Sequence, residues 1–341
     1  MNPKPKTLNP ILVCPLNWGL GHASRDIPII RTLLEGGYRV IVAGDQSVID
    51  LIRSEFPDIE TEPLPGKKIS YSKRNSQTIH LLLQLPSALF WVWREKKLTD
   101  KLVKKYNPEC IISDNRYGVR HPKVNSIIIT HQLMLKLPKS LKWFEKPVNI
   151  LIKRLVSRFN CCLIPDNPLP NSLAGDLVHK YPLPKNARFI GPISRFMFEY
   201  PHYQTDDKYD LLVIISGPEP QRTILQQKLT EKILSEDLNC LMITGTLNDN
   251  DTPKSLKNIK FVPHLESYIL AEYIKNTPII VSRAGYSTIM DLWHLKKNAI
   301  LIPTPGQSEQ EYLAQRSELQ NHTFIPQSDI DSIISFSSYK Q

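Results

Sequence analysis

The chain has 341 residues, a formal net charge of +10 and 41% hydrophobic residues. It is long enough for two ordinary domains and apolar enough for normal cores, which excludes a disordered or fibrous protein. The excess of lysine and arginine points to an anionic partner, while five cysteines scattered through apolar runs (Cys14, Cys110, Cys161, Cys162, Cys240) argue for reduced thiols, not a disulfide framework.

No C-x-x-C or H-E-x-x-H spacing occurs, so neither a metal nor a cofactor is expected. The polar start MNPKPKTLNP carries no signal-peptide apolar region, and the expected location is the cytoplasm.

In chain order, residues 11–14 read as a short strand, and Asn17-Trp18-Gly19-Leu20-Gly21-His22 as a glycine turn. A helix is predicted from about Ser24, because Ile27, Ile30, Leu33 and Leu34 recur at helical spacing until Gly36-Gly37. Residues 38–43 follow as a second strand. This βαβ start lacks the full G-x-G-x-x-G fingerprint, since Ala23 and Ser24 follow His22, which weakens a nicotinamide-dinucleotide reading. His22 has two readings, a general base that titrates near neutrality or a residue packed at the helix start.

Residues 110–113 form another apolar strand, ended by Asp114-Asn115. Asp114 is thereby expected at the same sheet edge as His22, where a carboxylate can orient an imidazole; capping the following loop is its other reading. Two stretches combine basic and aromatic residues. Residues 81–105 carry Leu85, Leu89, Phe90, Trp91 and Trp93 before a basic run. Residues 136–158 set Lys136, Lys139, Lys142, Lys146, Lys153, Arg154 and Arg158 against a single acid, Glu145. Such surfaces suit an anionic membrane face, yet neither stretch is apolar for long enough to span a bilayer. No nucleic-acid-binding motif is present.

Prolines from Pro165 to Pro201 punctuate the chain, Arg188-Phe189-Ile190 reads as the last strand of a first domain, and Gly191-Pro192 starts the crossover. The expected domains are therefore 1–191 and 192–341. The second half follows the same pattern, with an apolar run at 209–215 that meets Ser216-Gly217-Pro218-Glu219 and places Pro218 at the first helical position. Residues 241–244 and 258–263 are further strands, the latter followed by His264-Leu265 near a helix start.

Residues 279–315, IIVSRAGYSTIMDLWHLKKNAILIPTPGQSEQEYLAQ, alternate strand, glycine turn, helix, strand, turn and helix. Open α/β sheets bind ligands at the carboxyl ends of strands, so both turns are candidate sites. At the first, Gly285 permits close approach, Ser287 and Thr288 add hydroxyls to a helix start that attracts phosphate, and Asp291 lies one turn on, where it can accept ribose hydroxyls. A capped helix with an acidic first turn is the other reading. At the second, Ser308-Glu309-Gln310-Glu311 reads either as a capping box or as sugar-binding Gln310 and Glu311.

The stretch RAGYSTIMDLWHLKKNAILIPTPGQSEQEYLA resembles the C-terminal signature of glycosyltransferase family 28, which includes the peptidoglycan UDP-N-acetylglucosamine transferase and is related to the UDP-glucuronosyltransferases. The resemblance implies an α/β fold of two facing Rossmann-like domains (GT-B), with an acceptor-binding N-terminal and a nucleotide-sugar-binding C-terminal domain. It implies Asp291 at the ribose, Ser287, Thr288 and Arg283 at the diphosphate, Gln310 and Glu311 at the donor sugar, and His264 and Leu265 at the uracil. The first turn is similar to the G-x-G-H loop of such transferases, which adds Gly19, Gly21 and His22, and the loop with Ser216 and Gly217 falls near the donor phosphates.

The implied activity is an inverting, metal-independent transfer from a UDP-sugar, first UDP-N-acetylglucosamine, to a hydroxyl acceptor of the lipid-linked kind used in cell-envelope glycans. Asp114, Asn115, His131 and Gln132 are candidates to face that acceptor. Peripheral attachment at the inner face of the membrane goes with this reading. Two alternatives stand beside it: a UDP-sugar 2-epimerase on the same fold, and a non-catalytic sugar-nucleotide-binding or partner protein.

Overall fold

Short, almost wholly apolar runs such as ILVC and LLVI are buried on both faces, the condition under which parallel strands are stable. The computed structural model describes residues 9–17, 20–66, 77–137, 139–200, 203, 207–217, 219–246 and 253–339. Gly19 and Pro218, both singled out above, lie outside them.

The first unit runs β1 (Ile11–Cys14), α1 (Leu20–Glu35), β2 (Val40–Gly44), α2 (Gln46–Glu55), β3 (Glu60–Pro63), α3 (Gln77–Tyr106), β4 (Cys110–Asp114), β5 (Asn125–Ile129), α4 (Glu145–Val156), β6 (Cys161–Ile164), α5 (Asp176–His179) and β7 (Ala187–Phe189). Its strands pair in the order β3-β2-β1-β4-β5-β6-β7, all parallel. The second unit runs β8 (Leu211–Ile214), α6 (Gln221–Leu234), β9 (Cys240–Ile243), β10 (Ile259–Val262), α7 (Ser267–Asn276), β11 (Ile279–Ser282), α8 (Tyr286–Leu295), β12 (Ile300–Leu301), α9 (Ser308–Ser317) and β13 (Thr323–Phe324). Its order is β10-β9-β8-β11-β12-β13, again parallel throughout. The fold is thus α/β with two facing Rossmann-like units.

In each sheet the winding direction reverses once, between β1 and β4 and between β8 and β11. At such a switch point two neighbouring loops diverge to opposite faces and leave a crevice beyond the strand ends.

Two helix starts differ from the sequence expectation. Helix α1 begins at Leu20, and the Gly21 carbonyl in its first turn accepts from the hydroxyls of Ser24 (3.0 Å) and Ser287 (2.7 Å). Helix α7 begins at Ser267 and not near His264, since the cap comes from the other unit: the Glu55 carboxylate accepts from the Ser267 N–H at 2.7 Å. Apolar packing also crosses the interface, in one buried cluster that joins Ile128, Leu133 and Ile164 to Ala284, Tyr286 and Met290.

Candidate active site

The helix start after β1 and the loops after β5, β8, β10, β11 and β12 line one cleft of about 830 Å³, within the range of small-molecule sites. The first turns of α1, α8 and α9 open onto it, each with unpaired N–H groups and a partial positive charge.

On the first unit's wall, Gly21 and His22 reach the cleft from the start of α1. Asp114, fully buried at the end of β4, lies behind them, and its Oδ2 is 2.9 Å from His22 Nδ1. The register of β1 beside β4 places these strand ends side by side. Arg25, three residues after His22 and so on the same helix face, donates to Asp114 Oδ1. Its Nη2 lies 2.9 Å from His22 Nδ1 and its Nη1 3.0 Å from His131 Nδ1. Burial would raise the Asp114 pKa, but the charges of Arg25 and His22 overcome it and hold the carboxyl below its ordinary value.

His131, in the loop after β5, stacks on Tyr286 of α8 with ring centroids 4.0 Å apart. Its Nε2 lies 2.9 Å from Oε1 of Glu309 in the first turn of α9, and the Gln132 amide donates to Oε2 of the same carboxylate. Burial lowers the His131 pKa below its ordinary value, against the pull of the Glu309 contact. Burial opposes ionisation of Glu309, yet the His131 contact keeps its carboxyl below the usual range. Asp26, also fully buried, has no hydrogen-bond partner on either oxygen among the described residues. Burial, reinforced by the Asp114 charge, raises its pKa well above normal.

On the second unit's wall, Ser216 and Gly217 follow β8, and His264 and Leu265 follow β10. His264 is pushed down to about 4, by burial first and by Arg195 second, and its Nε2 has no partner among the described residues. Gly285, Ser287, Thr288 and Asp291 line the cleft from the start of α8. The Ser287 hydroxyl donates across the interface to the Gly21 carbonyl at 2.7 Å. Asp291 is engaged on both oxygens, by Ser194 Oγ at 2.6 Å and Arg195 Nε at 3.2 Å. Burial raises its pKa despite these partners. Gln310 lines the cleft while its Oε1 accepts from the Thr304 N–H at 2.9 Å.

Two predicted positions are corrected. Arg283 does not reach the cleft: it is wholly buried behind β11 and donates to the carbonyls of Ile302, Pro303 and Gln221 and to Gln327 Oε1. Its guanidinium gathers the chain ends of the second sheet, and burial pushes its pKa down to about 9. Glu311 does not line the cleft either; its Oε1 accepts from the Gly306 N–H at 2.9 Å and braces the turn before α9. The capping box also differs, because α9 is preceded by Gln307 and Glu311 reaches past Ser308 to Gly306.

Sequence reasoning passed over Arg25, Ser194, Arg195 and Glu309. For Arg25 a signal existed in its i+3 spacing from His22. Ser194 and Arg195 precede the second unit in a proline-punctuated connection, and nothing local marks them as partners of Asp291. Among the described residues no cluster of His, Cys, Asp and Glu is arranged to hold a metal ion, and no helix is long and apolar enough to cross a membrane.

Residues 212–329 match the model of the Glycosyltransferase family 28 C-terminal domain. The chain is 24% identical over 309 residues to an uncharacterized glycosyltransferase of Methanosarcina acetivorans, covering 86% of this chain and 79% of the relative. It is 22% identical over 287 residues to the UDP-N-acetylglucosamine–N-acetylmuramyl-(pentapeptide) pyrophosphoryl-undecaprenol N-acetylglucosamine transferase of Listeria welshimeri, covering 81% and 73%. Among solved structures, the glycosyltransferase SnogD from Streptomyces nogalater superposes with a TM-score of 0.61 at 11% identity, over 94% of this chain and 88% of that one. The spinosyn rhamnosyltransferase SpnG complexed with thymidine diphosphate gives 0.60 at 13%, over 97% and 90%. The fold is therefore that of the GT-B transferases across the chain. The resemblance to family 28 holds in the second unit, and glycosyl transfer is the enzyme class that all these relatives share.

Proposed function

We propose that this chain, a glycosyltransferase in class, is an inverting enzyme. It moves a hexose or N-acetylhexosamine from a UDP-sugar, with UDP-N-acetylglucosamine the first donor to try, onto a hydroxyl of a lipid-linked acceptor. The observation that carries the reading is the apposition, across one cleft, of the His22–Asp114 pair and the open start of α8 with Asp291 one turn beyond. A base stands on one wall and an anion-attracting helix start on the other.

In this mechanism Asp114 accepts from His22 Nδ1 and Nε2 faces the cleft as base. The acceptor O–H bond breaks and its proton passes to Nε2. The oxygen bonds to the anomeric carbon from the face opposite the nucleotide, and the bond to the diphosphate oxygen breaks with its electron pair. Helix starts at α1 and α8, with Arg195 lining the cleft nearby, stabilise that charge without a metal. The ribose hydroxyls take over the Asp291 carboxylate from Ser194 and Arg195, which frees Arg195 toward the phosphates. The domains divide as 1–191 for the acceptor and 192–341 for the donor.

Attachment at the inner face of the membrane fits the exposed side chains of the first unit. Trp143 is 70% exposed, Phe90 and Trp93 lie 5.8 Å apart on α3, and Lys97 sits 3.7 Å over the Trp93 ring. Lipid vesicles with and without anionic headgroups test this, and no sedimentation at low salt would dismiss it.

The deciding experiment is calorimetric titration with UDP, dTDP, GDP and ADP on wild type and Asp291→Ala. Selective UDP binding, lost in the variant, supports the reading. Preferential dTDP binding moves the donor class, an outcome made concrete by the thymidine diphosphate in the spinosyn enzyme's structure. Release of UDP from a UDP-sugar with no acceptor present would favour the epimerase, and no nucleotide binding by folded protein a non-catalytic role.

A further inference from the structure

Two side chains converge on one atom, His22 Nδ1, and chemistry forbids both to bond it at once. Asp114 Oδ2 is 2.9 Å from it and only accepts; Arg25 Nη2 is also 2.9 Å from it and only donates. If Nδ1 carries the proton, it serves Asp114 and leaves Nε2 with the lone pair a base needs. If Nδ1 is bare, it accepts from Arg25, Nε2 carries the proton, and the ring cannot take one from an acceptor. The position of the Arg25 guanidinium selects between the two.

The guanidinium is held from the other side. Arg25 Nη1 is 3.0 Å from His131 Nδ1, and because arginine only donates, that imidazole nitrogen must be bare. The His131 proton is then on Nε2, which faces Glu309 Oε1 at 2.9 Å, a carboxylate that only accepts. One arrangement satisfies the set: Glu309 takes Nε2–H of His131, His131 takes Nη1–H of Arg25, and Asp114 takes Nη2–H of Arg25 together with Nδ1–H of His22. Glu309 and Tyr286, which stacks on the same imidazole, belong to the second unit, whereas the rest belong to the first. The titratable and charged groups around the dyad are thus Arg25 and Asp26 of α1, Asp114 of β4, His131 after β5, and Glu309 of α9.

We propose that Arg25 is a positioning residue, seated across the domain interface by Glu309 through His131, that keeps His22 in the Nδ1–H tautomer and so leaves Nε2 available as the base. The inference rests on the base role of His22 given above. When the two units part, Glu309 leaves His131, the proton of that ring is no longer confined to Nε2, and Arg25, already 2.9 Å from His22 Nδ1, is free to donate to it. The base is therefore competent only when the cleft is closed over its substrates, which protects a bound donor from water.

The test uses the full chain labelled with 15N-histidine. Two-bond 1H–15N correlation spectra report the tautomer of each ring, His22 being assigned by loss of its signals in His22→Ala. Wild type should show His22 as Nδ1–H and His131 as Nε2–H. Glu309→Ala should move His22 toward Nε2–H. It should lower kcat roughly tenfold or more, with the donor KM changed far less. Glu309→Gln retains an acceptor for His131 and should restore both readouts. An unchanged His22 tautomer in Glu309→Ala, in protein that still melts cooperatively, overturns the proposal. So does a wild-type His22 that is already Nε2–H. The spectra need no turnover, so failure of the transferase reading, seen as absent nucleotide binding, is a separate result.

Discussion

Asp114→Asn is the substitution on which the proposed chemistry depends most, and its consequences can be worked out before it is made. The asparagine keeps the size and removes one charge from a fully buried position between Arg25 and His22. Its amide group can donate where the carboxylate only accepts, which favours the wrong His22 tautomer. A base left in the wrong tautomer loses on the order of 10⁴ in kcat, about 5 kcal/mol of barrier at 1.36 kcal/mol per tenfold.

Stability falls as well, because Arg25 keeps its buried charge and loses its partner, a change that costs roughly 3–5 kcal/mol near neutral pH. The pH dependence separates the two effects. The Asp114 pKa is depressed in the folded protein, so its contribution to stability is present above the unfolded value of about 3.9 and is lost as pH falls through the folded value. The melting temperatures of wild type and variant should therefore diverge at neutral pH and converge in acid. The assay is steady-state turnover at a temperature where both are folded, alongside thermal melts across pH. Turnover within a few-fold of wild type in folded Asp114→Asn would refute the role of the dyad. A parallel offset of the two melting curves at every pH would refute the ion-pair argument.

Other outcomes follow from single contacts. Arg283→Met leaves three carbonyls and the Gln327 amide oxygen without their donor, and should destabilise by roughly 3–5 kcal/mol; nucleotide affinity in the folded fraction should stay unchanged, and a selective loss of UDP binding would return Arg283 to the phosphate site. Gly245 has φ +68°, and an added Cβ would lie 2.4 Å from the Ile215 carbonyl oxygen, so Gly245→Ala should cost about 1–3 kcal/mol in denaturant titration. Asp26 has a raised pKa, so the wild type loses stability as pH rises above the unfolded value of about 3.9; Asp26→Asn cannot ionise and should gain on it from that pH until the folded carboxyl itself ionises. Equal slopes would show that Asp26 ionises without penalty. Activity should survive exhaustive EDTA treatment, and its recovery only on adding a divalent cation would overturn the metal-independent mechanism.

What neighbouring residues determine was legible in the sequence. The apolar runs before Gly21, Ser216 and Gly285 read as strand ends because a buried parallel strand needs an uninterrupted apolar run and its exit needs a turn. Both switch-point loops of the second unit are visible in this way. The pairing of His22 with Asp114 was also within reach, since Asp114 ends one strand, His22 opens the helix after another, and parallel strands end at the same edge.

The errors share a different cause. An arginine or glutamate in a motif string carries no sign of where its long side chain turns: Arg283 folds back among carbonyls, and Glu311 closes a turn while its neighbour Glu309 enters the cleft. Nor does the chain announce contacts between distant segments. Glu55 caps α7, Ser194 and Arg195 engage Asp291, and Glu309 meets His131, each pairing residues far apart in sequence. Local pattern determined the strands, turns and helix starts, because their hydrogen bonds close within a few residues. That Glu309 and Tyr286 close on His131, and through it on Arg25 beside His22, was decided by packing one unit against the other, where only the assembled surfaces select which buried charges find partners.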